Sequence, residues 1–121
     1  MYSPLALNLA EISTNPDSLT WEAHDSIGRK GTRIHRLFQS EKLGQQVALV
    51  HCAPGSYAQS HFHEGHESFY VLEGCFEDES GRYGKGQLVV YPPGSQHSWS
   101  CPEGALIYVV WGGPVSARNK N

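Results

Sequence analysis

Three histidines and a glutamate stand at spacings suited to holding one metal ion. The first stretch reads Gly55, five residues, His61-Phe62-His63, three residues, Glu67, six residues, Gly74. The second reads Gly86, five residues, Pro92-Pro93-Gly94, two residues, His97, three residues, Cys101. His61 and His63 are two apart, so an extended strand turns both imidazoles to one face. Glu67 and His97 can approach that face from neighbouring strands. Three neutral imidazoles and a carboxylate suit one divalent transition metal, with Zn and Fe foremost and Ni, Mn or Cu as alternatives. A His-x-His pair by itself reads as a solvated strand face; the other two donors turn the reading to ligation. Glu67 is either a ligand or a carboxylate that orients a histidine.

The residues around these four have two readings each. Phe69, two after Glu67, and Trp99, two after His97, share faces with the donors and are expected to line an apolar pocket above the metal. Their plainer role is barrel packing, as for Tyr91, Tyr108 and Trp111. Cys101 falls on the His97 face, either as a small buried apolar residue or as a redox-sensitive thiol bordering the pocket. His66 lies on the face opposite Glu67 and reads as a surface or loop histidine unless a bulge re-aims it.

Short strands must position these groups. Residues 33–38, 46–52, 59–63, 68–72, 87–91, 97–101 and 106–111 are the candidates, many rich in Val, Leu, Tyr, Phe or Trp. Breaks at Pro54-Gly55, Gly74, Gly81, Gly84, Gly86, Pro92-Pro93-Gly94, Pro102 and Gly104 separate them. This pattern predicts an all-β sandwich or barrel. With 121 residues the chain has room for one domain with a real core. Residues 1–20 read as an N-terminal arm, 21–115 as the domain and 116–121 as a disordered tail.

A net charge of −3 and a pI near 6.1 give no electrostatic reason to expect nucleic acid. No stretch has the roughly 20 apolar residues of a membrane span, and the N-terminus lacks the pattern of a signal peptide. Cys52, Cys75 and Cys101 are odd in number and form no Cys-x-x-Cys pair, which argues against a disulfide framework and for the cytosol.

Both stretches resemble the two signature motifs of the cupin superfamily. Nine prescribed positions agree: Gly55, His61, His63, Glu67, Gly74, Gly86, Pro92, Gly94 and His97. Cys101 departs, standing where the family has Asn. The segment VLEGCFEDESGRYGKGQLVVYPPGSQHSWSCPEGALIYVVW is similar to the cupin domain of ChrR-type anti-sigma factors and their small stand-alone relatives. The resemblance implies a double-stranded β-helix, or jelly roll, with the metal near the mouth of the barrel.

Two functions follow from the resemblance. One is a metal-dependent dioxygenase acting on a small apolar or dicarbonyl-like compound, as in acetylacetone-cleaving cupins. The other is a ChrR-like sensor that binds zinc through His61, His63, Glu67 and His97 without turnover. ChrR-type proteins hold their sigma factor with a preceding helical zinc domain, for which this chain is expected to have no room. Small cupins commonly pair through sheet edges, so a homodimer that takes a small-molecule ligand is expected.

Overall fold

The computed structural model describes residues 3–117. The chain is almost entirely β, in nine strands: β1 Glu22–Ala23, β2 Arg29–Ser40, β3 Gln45–His63, β4 Glu67–Asp78, β5 Gly81–Gly84, β6 Leu88–Tyr91, β7 Gln96–Cys101, β8 Ala105–Trp111 and β9 Val115–Ser116. All pairings are antiparallel. β3 pairs with both β7 and β8, and β4 pairs with the same two strands. The circuit β3–β7–β4–β8 therefore closes on itself, which is the barrel the resemblance implies.

β3 differs from the expected pattern. Two separate strands were expected on either side of Pro54-Gly55, yet β3 runs unbroken for 19 residues. Its first half pairs with β8 (Gln46↔Trp111 through Cys52↔Ala105) and its second with β7 (Ser56↔Cys101 through Phe62↔Gln96). Pro54, which has no N–H to donate, falls where the strand changes partner, so no ladder bond is lost. Gly55 makes the bend with φ 83.

Alternation along the strands fills the barrel. Ala48, Val50 and Cys52 of β3 meet Phe69 and Val71 of β4 and Ile107 and Val109 of β8 in one buried cluster with Phe76, Trp99 and Trp111. Gly74 lets two of these strands approach. It holds φ 80, and a Cβ there would collide with the carbonyl oxygen of Gly104.

The opposite faces of the same strands form a second, smaller core. Leu49, Leu72 and Leu106 point outward and are covered by Ile12 of helix α1, Leu9–Thr14. Asn8 caps this helix, its Oδ1 accepting from the Glu11 amide at 3.1 Å. Trp21 closes the segment by donating its indole N–H to the Pro16 carbonyl at 2.9 Å. The segment read as an arm thus packs against its own domain. At the other end, Ser116 pairs with Phe62; residues 118–121 of the expected tail lie outside the described residues. Among the described residues, no helix is long and apolar enough to cross a membrane.

Ile12 is 6 % exposed on a helix of only six residues. Truncation by Ile12→Ala should cost about 2 kcal/mol, the lower end for a buried isoleucine because a short helix can settle into the gap. Urea denaturation measures this directly. A loss under about 0.5 kcal/mol, typical of surface positions, would mean that α1 is not docked.

Candidate metal centre

The register of β3 and β7 sets His61 directly opposite His97. His63 follows two residues later on the same face. Glu67 opens β4, between Tyr91 of β6 and Trp111 of β8. The four side chains converge: one donor atom from each lies within 4.8 Å of all the others, and all four residues are buried. A transition-metal ion with ligands at about 2.1 Å sets its neighbouring donors roughly 3–4 Å apart, so slight closure suffices.

Each imidazole is anchored through Nδ1. That of His61 lies 3.0 Å from the Gln59 carbonyl, that of His63 3.0 Å from Ser95 Oγ, and that of His97 3.0 Å from Asp78 Oδ2. Carbonyl and carboxylate oxygens only accept, so His61 and His97 carry their protons on Nδ1 and present Nε2 as a lone pair. The turn Pro92-Pro93-Gly94-Ser95 anchors His63 twice over. The Gly94 amide donates to the His63 carbonyl at 2.8 Å, and the His63 amide to the Ser95 carbonyl at 2.9 Å.

The four donor atoms face one another at close range. Nε2 of His63 and of His97 are buried without a hydrogen-bond partner. They lie 3.2 and 3.6 Å from the two carboxylate oxygens of Glu67. Acceptors facing acceptors at these distances repel unless a proton or a metal cation sits among them. The donor set, its orientation and its orphaned nitrogens all fit a transition metal. Trp111 steers the carboxylate by donating its indole N–H to Glu67 Oε2 at 2.5 Å.

Electrostatics follow from burial and neighbours. Burial pushes the Glu67 carboxyl up, but a proton shared with His63 and the surrounding imidazoles would outweigh it, and the group is held below the ordinary carboxylate range. Asp78 behaves alike: burial is overcome by donors from Tyr91, His97 and the Ser80 amide. Burial drives the His61 imidazole down to about 4. His24 falls to about 3, through burial and then the charges of Arg29 and Arg36.

Phe69 and Trp99 line a small internal cavity of about 20 Å³ beside His61 and Glu67, room for about one water. Cys101 is not among its lining residues. It is fully buried, and its contact with Cys52, reinforced by burial, pushes the Cys52 thiol up. His66 is exposed and rests on Gly112, outside the donor cluster.

Several participants escaped the sequence reading. Asp78 and Ser95 hold imidazoles, while Trp111 and Tyr91, read as packing, hold carboxylates: the Tyr91 hydroxyl donates to Asp78 Oδ2. His24 and Arg29 line the cavity from upstream of both motifs. Ser95 was the most readable of these, lying within the second motif two residues before His97.

The metal-free protein should lose stability in acid. Folded His61 and His24 bind a proton only near pH 4 and 3, against 6.5 for a free imidazole. The unfolded chain therefore takes up protons first, and their contribution is complete above about pH 6.5 and lost as pH falls toward 4. At about 1.4 kcal/mol per unit, His61 alone removes on the order of 3 kcal/mol. The depressed Glu67 and Asp78 act in the same direction at lower pH. Urea midpoints measured from pH 7 to 4 should fall steadily; a flat profile would show that His61 is open to protonation in the folded state.

The comparisons with known proteins bear on the fold and the family. The chain superposes on a candidate acetylacetone dioxygenase from Methylibium petroleiphilum PM1 with TM-score 0.77 and 17 % identity, covering 99 % of this chain and 86 % of that one. An acetylacetone dioxygenase from Acinetobacter johnsonii gives TM-score 0.77 and 16 % identity over 100 % and 80 %. The structure of Rhodobacter sphaeroides SigE in complex with the anti-sigma ChrR gives 0.65 and 19 % over 91 % and 70 %. At these identities the likeness carries the fold alone. No curated protein matches the chain. The profile of the ChrR cupin-like domain matches residues 9–116, and the chain belongs to that family of cupins.

Proposed function

We propose that the protein is a mononuclear metal-binding cupin that acts as a dioxygenase on a small dicarbonyl-like compound. The observation that carries this reading is the convergence of His61, His63, Glu67 and His97 with partnerless nitrogens beside a cavity walled by Phe69, Phe76 and Trp99. His61, His63 and His97 would hold the ion through Nε2, with Glu67 as fourth donor. When bound, iron or a similar ion would supply Lewis-acid and redox chemistry to a small ligand. The chain's own part is positional. Asp78 and Ser95 keep the rings aimed, Trp111 holds Glu67, and the aromatic walls exclude water from the reacting groups.

A second reading has an observation in its favour. Four protein donors can close a tetrahedral zinc site and leave no catalytic position. Together with membership of the ChrR cupin-like family, this supports a zinc-binding regulatory domain without turnover.

Elemental analysis of protein purified without added metal, followed by oxygen uptake with acetylacetone, separates the two. Iron, nickel or manganese with uptake supports the dioxygenase; zinc without uptake supports the regulatory domain. In either case the His61→Ala, His63→Ala double variant should lose its one metal per chain. Asp78→Asn should weaken binding about 10–100-fold, the usual effect of removing a partner that orients a metal ligand. Full metal content in the double variant would overturn the site.

A cytosolic homodimer belongs to the same reading. Cys52, Cys75 and Cys101 are all unpaired thiols, which suits a reducing compartment. Leu5, Leu37, Phe38, Val47 and Tyr108 line an open apolar groove of about 520 Å³, and Leu5 and Phe38 remain 65 % and 54 % exposed. A second copy covering this strip would bury it. Light scattering at micromolar concentration should give twice the chain mass, and Phe38→Asp should return it to the monomer mass; a monomer without the substitution rules the dimer out.

A further inference from the structure

Beside the four donors the barrel keeps cationic and hydrogen-bonding side chains that the reading above does not use. Arg29 opens β2 and is only 9 % exposed. Its Nη1 lies 3.3 Å from the Ser26 carbonyl oxygen and 3.4 Å from Ser26 Oγ, and its guanidinium sits 5.9 Å from the centre of the Trp111 ring. Among the described residues, no carboxylate lies within ion-pair distance of Arg29, although the Glu67 charge acts on its guanidinium from further away. His24 is 7 % exposed, and its buried Nε2 has no hydrogen-bond partner. A buried polar nitrogen without a partner costs stability, and a ligand that satisfied it would recover that cost.

These residues lie between two spaces. The inner one is the cavity beside His61 and Glu67. The outer one is a pocket of about 130 Å³ lined by His24, Ser26, Arg29, Arg36 and Gln46, with no Asp or Glu in its wall. His24, Arg29 and Trp111 belong to both. Glu22 does pair with Arg36, at 3.3 Å, but stands outside this lining. Two guanidiniums and a neutral imidazole face this recess while Glu22 and Glu67 stand outside its wall, an arrangement that favours an anion inside it.

We propose that this pocket is an anion subsite in which Arg29, with His24 and Arg36, holds the carboxylate of a small organic acid whose other oxygen faces the His61, His63, Glu67 and His97 centre. A guanidinium matches a carboxylate with two parallel N–H···O bonds, which orients the ligand as well as binding it. Trp111 packs on Arg29 and donates to Glu67, so a single indole joins the subsite to the donors. The space suits a ligand of a few heavy atoms and excludes nucleotides. The inference rests on the metal-binding reading for the ligand's second contact, and it narrows a dicarbonyl-like substrate to an acidic one, such as a 3-oxo acid.

Calorimetric titration at neutral pH, on zinc-loaded and on metal-free protein, tests it with acetoacetate and with acetylacetone as the uncharged analogue. Acetoacetate should bind both forms, more tightly with zinc, and weaken as salt is added. Acetylacetone should bind about tenfold more weakly or worse. Arg29→Gln should lower acetoacetate affinity at least about tenfold, the scale for removing a buried charged partner, and Arg29→Lys should restore part of it. Circular dichroism checks that these variants fold. Arg36→Gln, at an exposed position, gives a smaller loss and keeps the test decisive if the Arg29 variants do not fold. Equal affinity for the two compounds, unchanged affinity in the folded variants, or no acetoacetate binding to either form at millimolar concentration would overturn the subsite. Arg29-dependent binding to protein that takes up no metal would leave the subsite standing and remove the metal reading; metal uptake without acetoacetate binding would do the reverse.

Discussion

Imidazole lone pairs and a carboxylate repel one another when they are crowded together away from water, and here four such groups meet at one buried point. They stay there because every group is tied down from behind. His61 is held by the Gln59 carbonyl, His63 by Ser95, His97 by Asp78, and Glu67 by the Trp111 indole. Asp78 is the most heavily committed of these anchors. Its two oxygens accept from the Ser80 and Gly81 amides, from the Tyr83 and Tyr91 hydroxyls and from His97. A carboxylate so fully solvated by donors stays ionised, and an ionised partner keeps the His97 proton on Nδ1.

The rest of the fold serves this arrangement at several removes. The barrel circuit fixes which strands border these four side chains, and Phe69, Phe76 and Trp99 wall the small cavity beside them. The outer faces of β3, β4 and β8 would be an apolar liability on a small domain, and α1 turns that surface into a second core. Burial on both faces explains how Leu49 can be wholly inaccessible in a strand whose next residue also faces the interior.

The convergence of His61, His63, Glu67 and His97 and the barrel are legible because their information is local: a spacing of two between His61 and His63, a Pro-Pro-Gly turn, short alternating strands. What was illegible depends on events between motifs. Asp78 is an odd number of residues from Glu67, so simple alternation sends it outward. A register irregularity between Val71 and Glu73 shifts the phase by one, and Phe76 and Asp78 turn inward instead. Pro54-Gly55 read as a break because a strand that changes partners has no signature in its own composition. β5, with the sequence Gly-Arg-Tyr-Gly, read as turn. Cys101 lies in the buried core cluster, but counting positions cannot tell that its neighbour is another thiol. His24 and Arg29 precede the first motif by more than twenty residues, and only the pairing of β2 with β3 brings them to the donors.

The bond from Trp111 to Glu67 also sets an order of events during synthesis. Trp111 ends β8, the last long strand of the barrel, while Glu67 belongs to a segment made more than forty residues earlier. A nascent chain that has emerged only through His97 already carries all four converging side chains, but neither the indole that steers the carboxylate nor the strand that closes the circuit. Metal captured at that stage would meet a mobile carboxylate and an open barrel edge. Pairings across such long sequence separations form slowly. Steering of the Glu67 carboxylate and closure of the circuit are therefore both deferred until the polypeptide is nearly finished, because one strand, β8, supplies both.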